Sequence, residues 1–217
     1  TETILMEHGK TNMPDISPVV LRKADDYKRA LYIYEYERYF VRQNLDTIVP
    51  LAELQDYYKD NARDFALRDY IVKVMYVRFA QGTKDLEKVK WWMRSGSNED
   101  LLKVEEMART GAENYFDGHD SWIYMDDLLR EVPAKITDKT QFLKNNTFIE
   151  VNEDGFFYYV LIFDYKLKDD LSPFQLEKDN IRNRILHTRA AGLVEKMRAD
   201  VIKKGYSEME IKEYAGK

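Results

Sequence analysis

Two long helical segments at opposite ends of the chain enclose all of its strand signals, and this order constrains the fold more than any motif does. Apolar residues recur at helical spacing from Pro18 to about Leu45. A second apolar stripe runs from about Phe174 to Lys204, and Gly205 is expected to end that helix. Between the two helices the apolar period changes to two, which is typical of strands. The sequence therefore predicts an α+β fold with helical ends and a small sheet in the middle.

The middle of the chain predicts strands that alternate with short helices. Ile71 to Phe79 is rich in β-branched and aromatic residues, and Gly82 ends this strand. The clearest local signal is a β-hairpin, with a strand at 147–151, a turn that contains Gly155, and a strand at 156–166. The other expected elements are helices at 84–94, 99–115 (capped by Ser97 or Asn98), 125–131 and about 139–144, and a short strand at 121–124.

The remaining segments carry weaker signals. Residues 1–16 contain Gly9 and Pro14 without any apolar period, and they predict an irregular lead-in. Pro50 is expected to start a short helix that ends near Asn61. Residues 208–214 predict either a closing strand or an extended tail.

Charge and composition exclude several kinds of function. The net charge of -5 gives no general attraction to phosphate backbones or anionic lipids, so no nucleic-acid partner is expected. The absence of cysteine removes disulfides, thiol nucleophiles and thiolate metal sites. The longest apolar run, Phe156 to Phe163, is far shorter than the roughly 20 residues of a transmembrane helix. The glycines and serines match neither a phosphate-binding loop nor a hydrolase elbow.

One histidine has acidic neighbours that suggest a metal site. His119 lies between Asp117 and Asp120, but their spacing matches no known carboxylate and histidine site. We interpret this segment as a solvated turn. The sequence predicts neither a metal nor a cofactor.

Two sequence clusters resemble segments of the SurA-type parvulin proteins, a family of peptidyl-prolyl cis-trans isomerases. Residues 57–65, YYKDNARDF, are similar to the Tyr-Tyr-x-x-Asn-x-x-x-Phe segment that precedes the parvulin domain in these proteins. Residues 181–189, IRNRILHTR, look like the start of their C-terminal helix. The parallels in pattern and order cover roughly residues 18 to 214.

The resemblance implies a domain organisation and a location. Residues 1–67 and 169–217 are expected to form one discontinuous helical chaperone module, and residues 68–168 an inserted parvulin-like domain with a small antiparallel sheet flanked by helices. A protein of this type acts in the periplasm or in another extracytoplasmic space. Thr1 is not an initiator methionine, which is compatible with a leader, with or without a lipid anchor, before this sequence.

The resemblance also implies a degenerate isomerase site. Active members end the first strand of the domain with His-Ile-Leu, and Tyr76 stands where that histidine belongs. Residues 117–122 keep one glycine and Trp122 of the family's Gly-Gly-x-Leu-Gly-Trp turn. The second histidine stands shortly after a glycine in the last strand, where residues 155–159, GFFYY, place an aromatic ring instead, with Phe157 as the candidate position. Catalysis is therefore expected to be weak or absent.

These replaced positions have two interpretations. Isomerisation needs no covalent step, so an apolar cavity lined by Tyr76, Trp122, Leu128 or Phe157 would still bind proline. Alternatively, the large side chains fill the core of a small sheet, and this alternative is favoured for Phe157 and Trp122.

The N-terminal helix carries aromatic residues on more than one face, so one packing partner cannot easily bury them all. The family that the chain resembles binds extended, aromatic-rich client segments between its N- and C-terminal helices. The alternative is a helix buried between two neighbours. The aromatic residues are Tyr27, Tyr32, Tyr34, Tyr36, Tyr39 and Phe40; the resemblance implies client-binding roles for all but Tyr27, together with Ile185 and Met197 of the C-terminal helix.

The sequence thus leaves three hypotheses for the function. The first is a chaperone that binds unfolded or nascent client proteins and has weak or no isomerase activity. The second is an active prolyl isomerase with an aromatic-lined pocket. The third is a non-catalytic assembly subunit that partners a sibling parvulin, or a dimer.

Overall fold

A computed structural model of the chain describes residues 1–13 and 17–208. Contacts divide the chain into two compact units. The helical unit comprises the chain up to Leu54 and the segment that begins at Asp179, and the sheet unit comprises residues 55–178. The expectation of an α+β fold is confirmed. The chaperone and parvulin-like domains, with the limits drawn from the sequence, stay a prediction.

Long helices form most of the helical unit. Pro18 is the second residue of its longest N-terminal helix, near the position where a missing backbone N–H costs nothing. The helices that contribute to this unit, in whole or in part, are α1 (Glu2–Asn12), α2 (Ser17–Asn44), α3 (Leu51–Asp60) and α8 (Phe174–Glu208).

Two ion pairs show how α2 and α8 pack within the helical unit. Glu37 Oε1 lies 2.6 Å from the guanidinium of Arg198, and Asp46 Oδ2, just after α2, lies 3.9 Å from that of Arg189. Residue numbers rise along α2 as they fall along α8. The two helices are therefore antiparallel.

Arg189 ties the loop between α2 and α3 to α8. Its guanidinium donates hydrogen bonds to the backbone carbonyls of Asp46 and Ile48, at 3.0 and 2.8 Å. It also donates to Glu53 Oε2 at 2.6 Å. One side chain thus satisfies three acceptors, with the planar fork of donors that only arginine provides.

An antiparallel sheet forms the centre of the sheet unit, with strand order β2-β1-β5-β4 and with β3 also paired to β1. β1 and β5 lie in the middle and are the most buried strands. The expected small antiparallel sheet is confirmed. The strands are β1 (Ile71–Ala80), β2 (Asn114–Asp117), β3 (Ile123–Tyr124), β4 (Phe148–Glu153) and β5 (Phe156–Lys166).

Each face of this sheet packs against its own pair of helices. Alternate residues of β1 point to opposite faces, so Tyr76 and Val77 belong to different cores. The helices on the Tyr76 face are α6 (Met125–Glu131) and α7 (Lys139–Asn145), which contribute Met125, Leu128 and Leu143. The helices on the other face are α4 (Leu86–Ser95) and α5 (Asn98–Gly111), which contribute Val89, Met93, Leu101 and Val104.

The hairpin turn has the backbone conformation that its sequence predicts. Asp154 and Gly155 join β4 to β5, and both have positive φ, 52° and 79°. Two positive φ angles match the right-handed twist of the flanking strands, and aspartate and glycine tolerate them best. The predicted β-hairpin is confirmed.

Three expectations for individual elements are wrong. Residues 2–12 form helix α1 rather than an irregular lead-in, although the helix has no buried residue. The helix expected at 99–115 ends at Gly111, because residues 114–117 pair with β1 as strand β2. Helix α8 continues through Gly205 to Glu208. Apart from Glu208, the closing strand or tail expected at 208–214 lies outside the described residues.

None of the helices within residues 1–13 and 17–208 is both long enough and apolar enough to cross a membrane. The same part of the chain contains no group of three or more histidine, aspartate and glutamate side chains that could hold a metal ion.

Candidate functional site

The sheet unit contains a cavity of about 500 Å³ beside Tyr76, which we name the Tyr76 cavity. It lies between the edge of the sheet and helix α6. Its apolar walls come from Phe116 of β2, from Ile123 of β3 and the preceding Trp122, and from Leu128 of α6. Its polar lining comes from Tyr76, Asn114, Tyr124, Asp127, Arg130 and Glu131.

Strand register brings Tyr76 and Asn114 together in this cavity. Tyr76 pairs with Phe116 in the ladder between β1 and β2, and Asn114 lies two residues from Phe116 on the same face of β2. The Asn114 side-chain amide donates a hydrogen bond to the Tyr76 hydroxyl oxygen. The rings of Tyr76 and Phe116 lie side by side, with centroids 6.1 Å apart.

The surroundings of Tyr76 keep its hydroxyl protonated. Burial raises the pKa of Tyr76 above its ordinary value, the negative charge of Glu131 raises it further, and Arg78 opposes the shift. At the cavity lining, Asp127 and Arg130 form an ion pair of 2.7 Å. At neutral pH the cavity thus presents a neutral hydrogen-bond donor group between apolar walls.

Of the four sequence-predicted cavity residues, Tyr76, Trp122 and Leu128 line the cavity, whereas Phe157 does not. Trp122 is half-buried, with Lys73 Nζ 5.2 Å from its ring centroid. Phe157 points to the opposite face of the sheet, where its ring stacks on Tyr159. Side chains alternate along a strand, so the residue of β5 on the Tyr76 face is the next one, Tyr158.

Gly118 has a steric role beside this cavity. A β-carbon at this position would lie 2.9 Å from the carbonyl oxygen of Val74, and it would also overlap the ring of Phe116. The Gly118 amide donates to that same carbonyl at 2.8 Å. The close approach of the two backbones explains why this position has no side chain.

The helical unit exposes three aromatic residues of α2 on one face. Tyr32, Tyr36 and Tyr39 follow one another at spacings of four and three residues, which places them on the same side of a helix. Their exposed fractions are 70%, 51% and 56%. We name these three residues the aromatic face. The alternative interpretation, a helix buried between two neighbours, does not hold for this part of α2.

A groove within the helical unit lies on another side of α2. It has a volume of about 430 Å³, and Tyr34, Val41 and Val194 of α8 provide its apolar surface. Glu37, Arg38 and Arg42 complete its lining. A second hollow of about 360 Å³ lies nearby between Leu45 and Leu193.

The other residues predicted to bind clients are less accessible. Phe40 is half-buried. Ile185 and Met197 of α8 are both only 6% exposed, so they offer almost no surface to another polypeptide. The sequence pattern identified them correctly as an apolar stripe, but a regular apolar stripe is what a helix buries against its own neighbours.

Sequence reasoning missed two features. The sequence pattern predicts that Asn114 lies in a helix, whereas its pairing with β1 puts it next to Tyr76. Helix α1 exposes Ile4, Leu5 and Met6, although the lead-in was expected to be irregular. No apolar period marks either feature.

No protein-family model matches the chain, and no curated protein matches it. Solved structures do match over most of its length. One comes from work on PEB4 and Cj1289, two SurA-like chaperones of Campylobacter jejuni; it is 15% identical, with a TM-score of 0.37, and the match covers 94% of this chain and 79% of that one. Another is the peptidylprolyl isomerase PrsA of Bacillus anthracis, 16% identical with a TM-score of 0.21, over 92% and 85% of the two chains. Both TM-scores are below 0.5, so the likeness does not establish the family.

Proposed function

We propose that the protein is an extracytoplasmic folding factor of the SurA/parvulin type that binds unfolded polypeptides through its helical unit. The observation that carries the proposal is the aromatic face, in which Tyr32, Tyr36 and Tyr39 are exposed together on one side of α2. The sequence clusters at 57–65 and 181–189 support the family assignment.

Aromatic rings suit the binding of many different unfolded chains. Burying one such side chain is worth roughly 1.5–3 kcal/mol, and a ring has few rotamers to lose. Three rings on one helix face therefore provide several kcal/mol of apolar contact without requiring a defined partner sequence. Unfolded proteins expose the apolar side chains that would contact them.

The groove beside Tyr34 supports the same proposal. Its volume of about 430 Å³ is in the range of small ligand sites, and its apolar centre has a charged border. An extended client segment could place an apolar side chain between Val41 and Val194 and its backbone carbonyls near Arg38 and Arg42. In this proposal residues 1–67 and 169–217 form the chaperone module and residues 68–168 form the parvulin-like domain.

An aggregation assay with an unfolded outer-membrane protein tests the proposal. The wild type should suppress aggregation at several-fold excess, and the triple variant Tyr32→Ala, Tyr36→Ala, Tyr39→Ala should lose most of this effect. Trp91→Ala is the matched control, because Trp91 is an exposed aromatic residue of the sheet unit, 62% accessible. Equal suppression by the triple variant would contradict the role of the aromatic face. Purification with one stoichiometric partner would instead favour an assembly subunit.

A second candidate function is prolyl isomerisation in the Tyr76 cavity. The cavity favours it because Phe116, Trp122 and Leu128 offer an apolar surface of the kind that a proline ring contacts. Rotation about the peptide bond before proline has a barrier of about 18–20 kcal/mol, and its catalysis needs no nucleophile. Protease-coupled turnover of a proline peptide tests it, with wild type compared with Tyr76→Ala. A wild-type rate equal to the uncatalysed rate would remove this candidate.

A further inference from the structure

We infer that the Tyr76 hydroxyl, held in place by Asn114, donates a hydrogen bond to a backbone carbonyl of a proline-containing peptide bound in the Tyr76 cavity. The inference rests on the second candidate function, a proline-binding cavity in the sheet unit. It gives Tyr76 a binding role and Asn114 a positioning role. The family resemblance implies only that Tyr76 replaces a histidine of the active members.

The hydrogen bond between these two residues determines where the hydroxyl hydrogen can go. The Asn114 amide nitrogen donates to the Tyr76 oxygen, so that oxygen acts as the acceptor in this contact. A tyrosine hydroxyl has one hydrogen of its own to donate. Within residues 1–13 and 17–208, the Tyr76 hydroxyl has no second hydrogen-bond partner that would accept that hydrogen. It is therefore available to a ligand in the cavity.

The protonation state of Tyr76 agrees with a donor role. Burial and the nearby Glu131 both favour the neutral hydroxyl, which raises the pKa of Tyr76. Tyr76 is 7% exposed, so water competes little for its hydrogen bond. A donor in such a partly dry site binds its acceptor more strongly than it would in water.

The chemistry of proline explains why a donor is the matching group. Proline has no backbone N–H, so the polar groups next to its ring are the two carbonyl oxygens on either side. Both carbonyls are acceptors only. A cavity with apolar walls from Phe116, Trp122 and Leu128 and one neutral donor from Tyr76 complements this combination.

We expect the hydrogen bond from Tyr76 to persist while the peptide bond before proline rotates. Such a hydrogen bond stabilises the ground state and the transition state equally. Its loss should weaken peptide binding, or raise KM, and leave kcat unchanged. For a neutral hydrogen bond we expect a loss of about 3- to 10-fold in affinity.

The test is a titration of the full chain with a short proline peptide, followed by NMR, for wild type, Tyr76→Phe and Asn114→Asp. Tyr76→Phe keeps the ring and removes the donor. Asn114→Asp keeps the shape, but its carboxylate accepts the Tyr76 hydrogen and withdraws it from the ligand. Both variants should bind about 3- to 10-fold more weakly. Tyr165→Phe is the control, because it removes a hydroxyl from the same sheet face outside the cavity lining.

A change in the peptide separates this role from a purely structural one. In each of two modified peptides, sulfur replaces one of the two carbonyl oxygens beside the proline, a different one in each. The resulting thioamide accepts hydrogen bonds less well than the amide that it replaces. The wild type should bind one of them more weakly than the parent peptide, and Tyr76→Phe should bind all three equally. This measurement on the wild type decides the question even if a variant fails to fold.

The results of these titrations distinguish a failure of the inference from a failure of the second candidate function. If the wild type binds no proline peptide, the second candidate function fails and the inference fails with it. If the wild type binds and neither the two variants nor the two thioamides weaken binding, only the inference is overturned.

Discussion

Glu37 of α2 and Arg198 of α8 are 161 positions apart in the chain, yet their side chains form an ion pair of 2.6 Å. Helices α2 and α8 therefore contact each other within the helical unit. Arg189 provides a second connection to the loop after α2. The ion pair with Arg198 lies on another side of α2 than the aromatic face, which stays exposed, as the binding proposal requires.

Removal of the Arg189 side chain should destabilise the helical unit. Arg189→Ala leaves two carbonyls and the Glu53 carboxylate without their donor, and we expect a loss of about 1–2 kcal/mol. The urea midpoint, followed by circular dichroism, measures it. Arg182→Ala is the control: its ion pair with Asp179 is exposed and 3.9 Å long, so it should change stability by less than about 0.5 kcal/mol. Equal midpoints for the two variants would contradict the role of Arg189.

Two glycine substitutions in the sheet unit should have opposite effects. Gly118→Ala should destabilise by about 1–3 kcal/mol, because its β-carbon would lie 2.9 Å from the Val74 carbonyl oxygen. At Gly111 an added β-carbon would meet no atom of the described residues within 4 Å, so Gly111→Ala should be neutral or stabilise by up to about 1 kcal/mol. Thermal unfolding of both variants measures the difference. A Gly118→Ala protein as stable as wild type would show that the backbone there can move apart freely.

Two tyrosine hydroxyls should contribute differently to the free energy of unfolding. The Tyr115 hydroxyl is buried and has no hydrogen-bond partner among residues 1–13 and 17–208, so Tyr115→Phe should be neutral or stabilise by up to about 1 kcal/mol. The Tyr58 hydroxyl donates to the Ser172 carbonyl at 2.5 Å, so Tyr58→Phe should cost about 1–2 kcal/mol. Urea unfolding of this matched pair gives the comparison. Equal losses would mean that Tyr115 makes a hydrogen bond after all.

Folding stability should fall in alkaline solution between pH 10 and about 12. Burial, with a smaller effect from Glu150, raises the pKa of Tyr159 to about 12, and burial with Asp117 raises the pKa of Tyr115 to about 12. An unfolded tyrosine ionises near pH 10. Above that pH the unfolded state has lost protons that the folded state still holds, so stability decreases; below it the contribution is fully present.

The control for this pH dependence is Tyr159→Phe, which removes one of the two tyrosines whose pKa is raised to about 12. Its unfolding midpoint should fall less than that of wild type when the pH is raised from near 9 to near 11. An equal fall would show that Tyr159 does not carry the effect.

The sequence predicts the helices and strands that carry an apolar period of their own, because the fold buries those apolar residues. Helix α2, strand β1 and the hairpin at Asp154 and Gly155 each carry their period or turn signal locally. Helix α1 buries nothing, so it has no apolar period to detect. Strand β2 exists because β1 provides a hydrogen-bonding partner, which is information from a distant part of the chain.

The candidate site was predictable only in part for the same reason. Tyr76, Trp122 and Leu128 come together in one cavity, although they lie on different elements. The expectation for Phe157 rests on a resemblance in spacing, and an offset of one residue along a strand moves a side chain to the opposite face of the sheet. The position of Asn114 beside Tyr76 results from the pairing of β2 with β1, so the sequence alone does not predict their hydrogen bond. The roles of these residues in binding stay predictions.

Site-specific photo-crosslinking tests the central claim, client binding by the aromatic face, most directly. A photoreactive phenylalanine replaces Tyr36 on the aromatic face in one variant and Trp91 in the other, since both positions are exposed aromatic residues. The account predicts that an unfolded outer-membrane protein crosslinks strongly to position 36 and weakly to position 91, and that the folded client crosslinks to neither. Equal crosslinking of the unfolded client at both positions, or none at position 36, would contradict it.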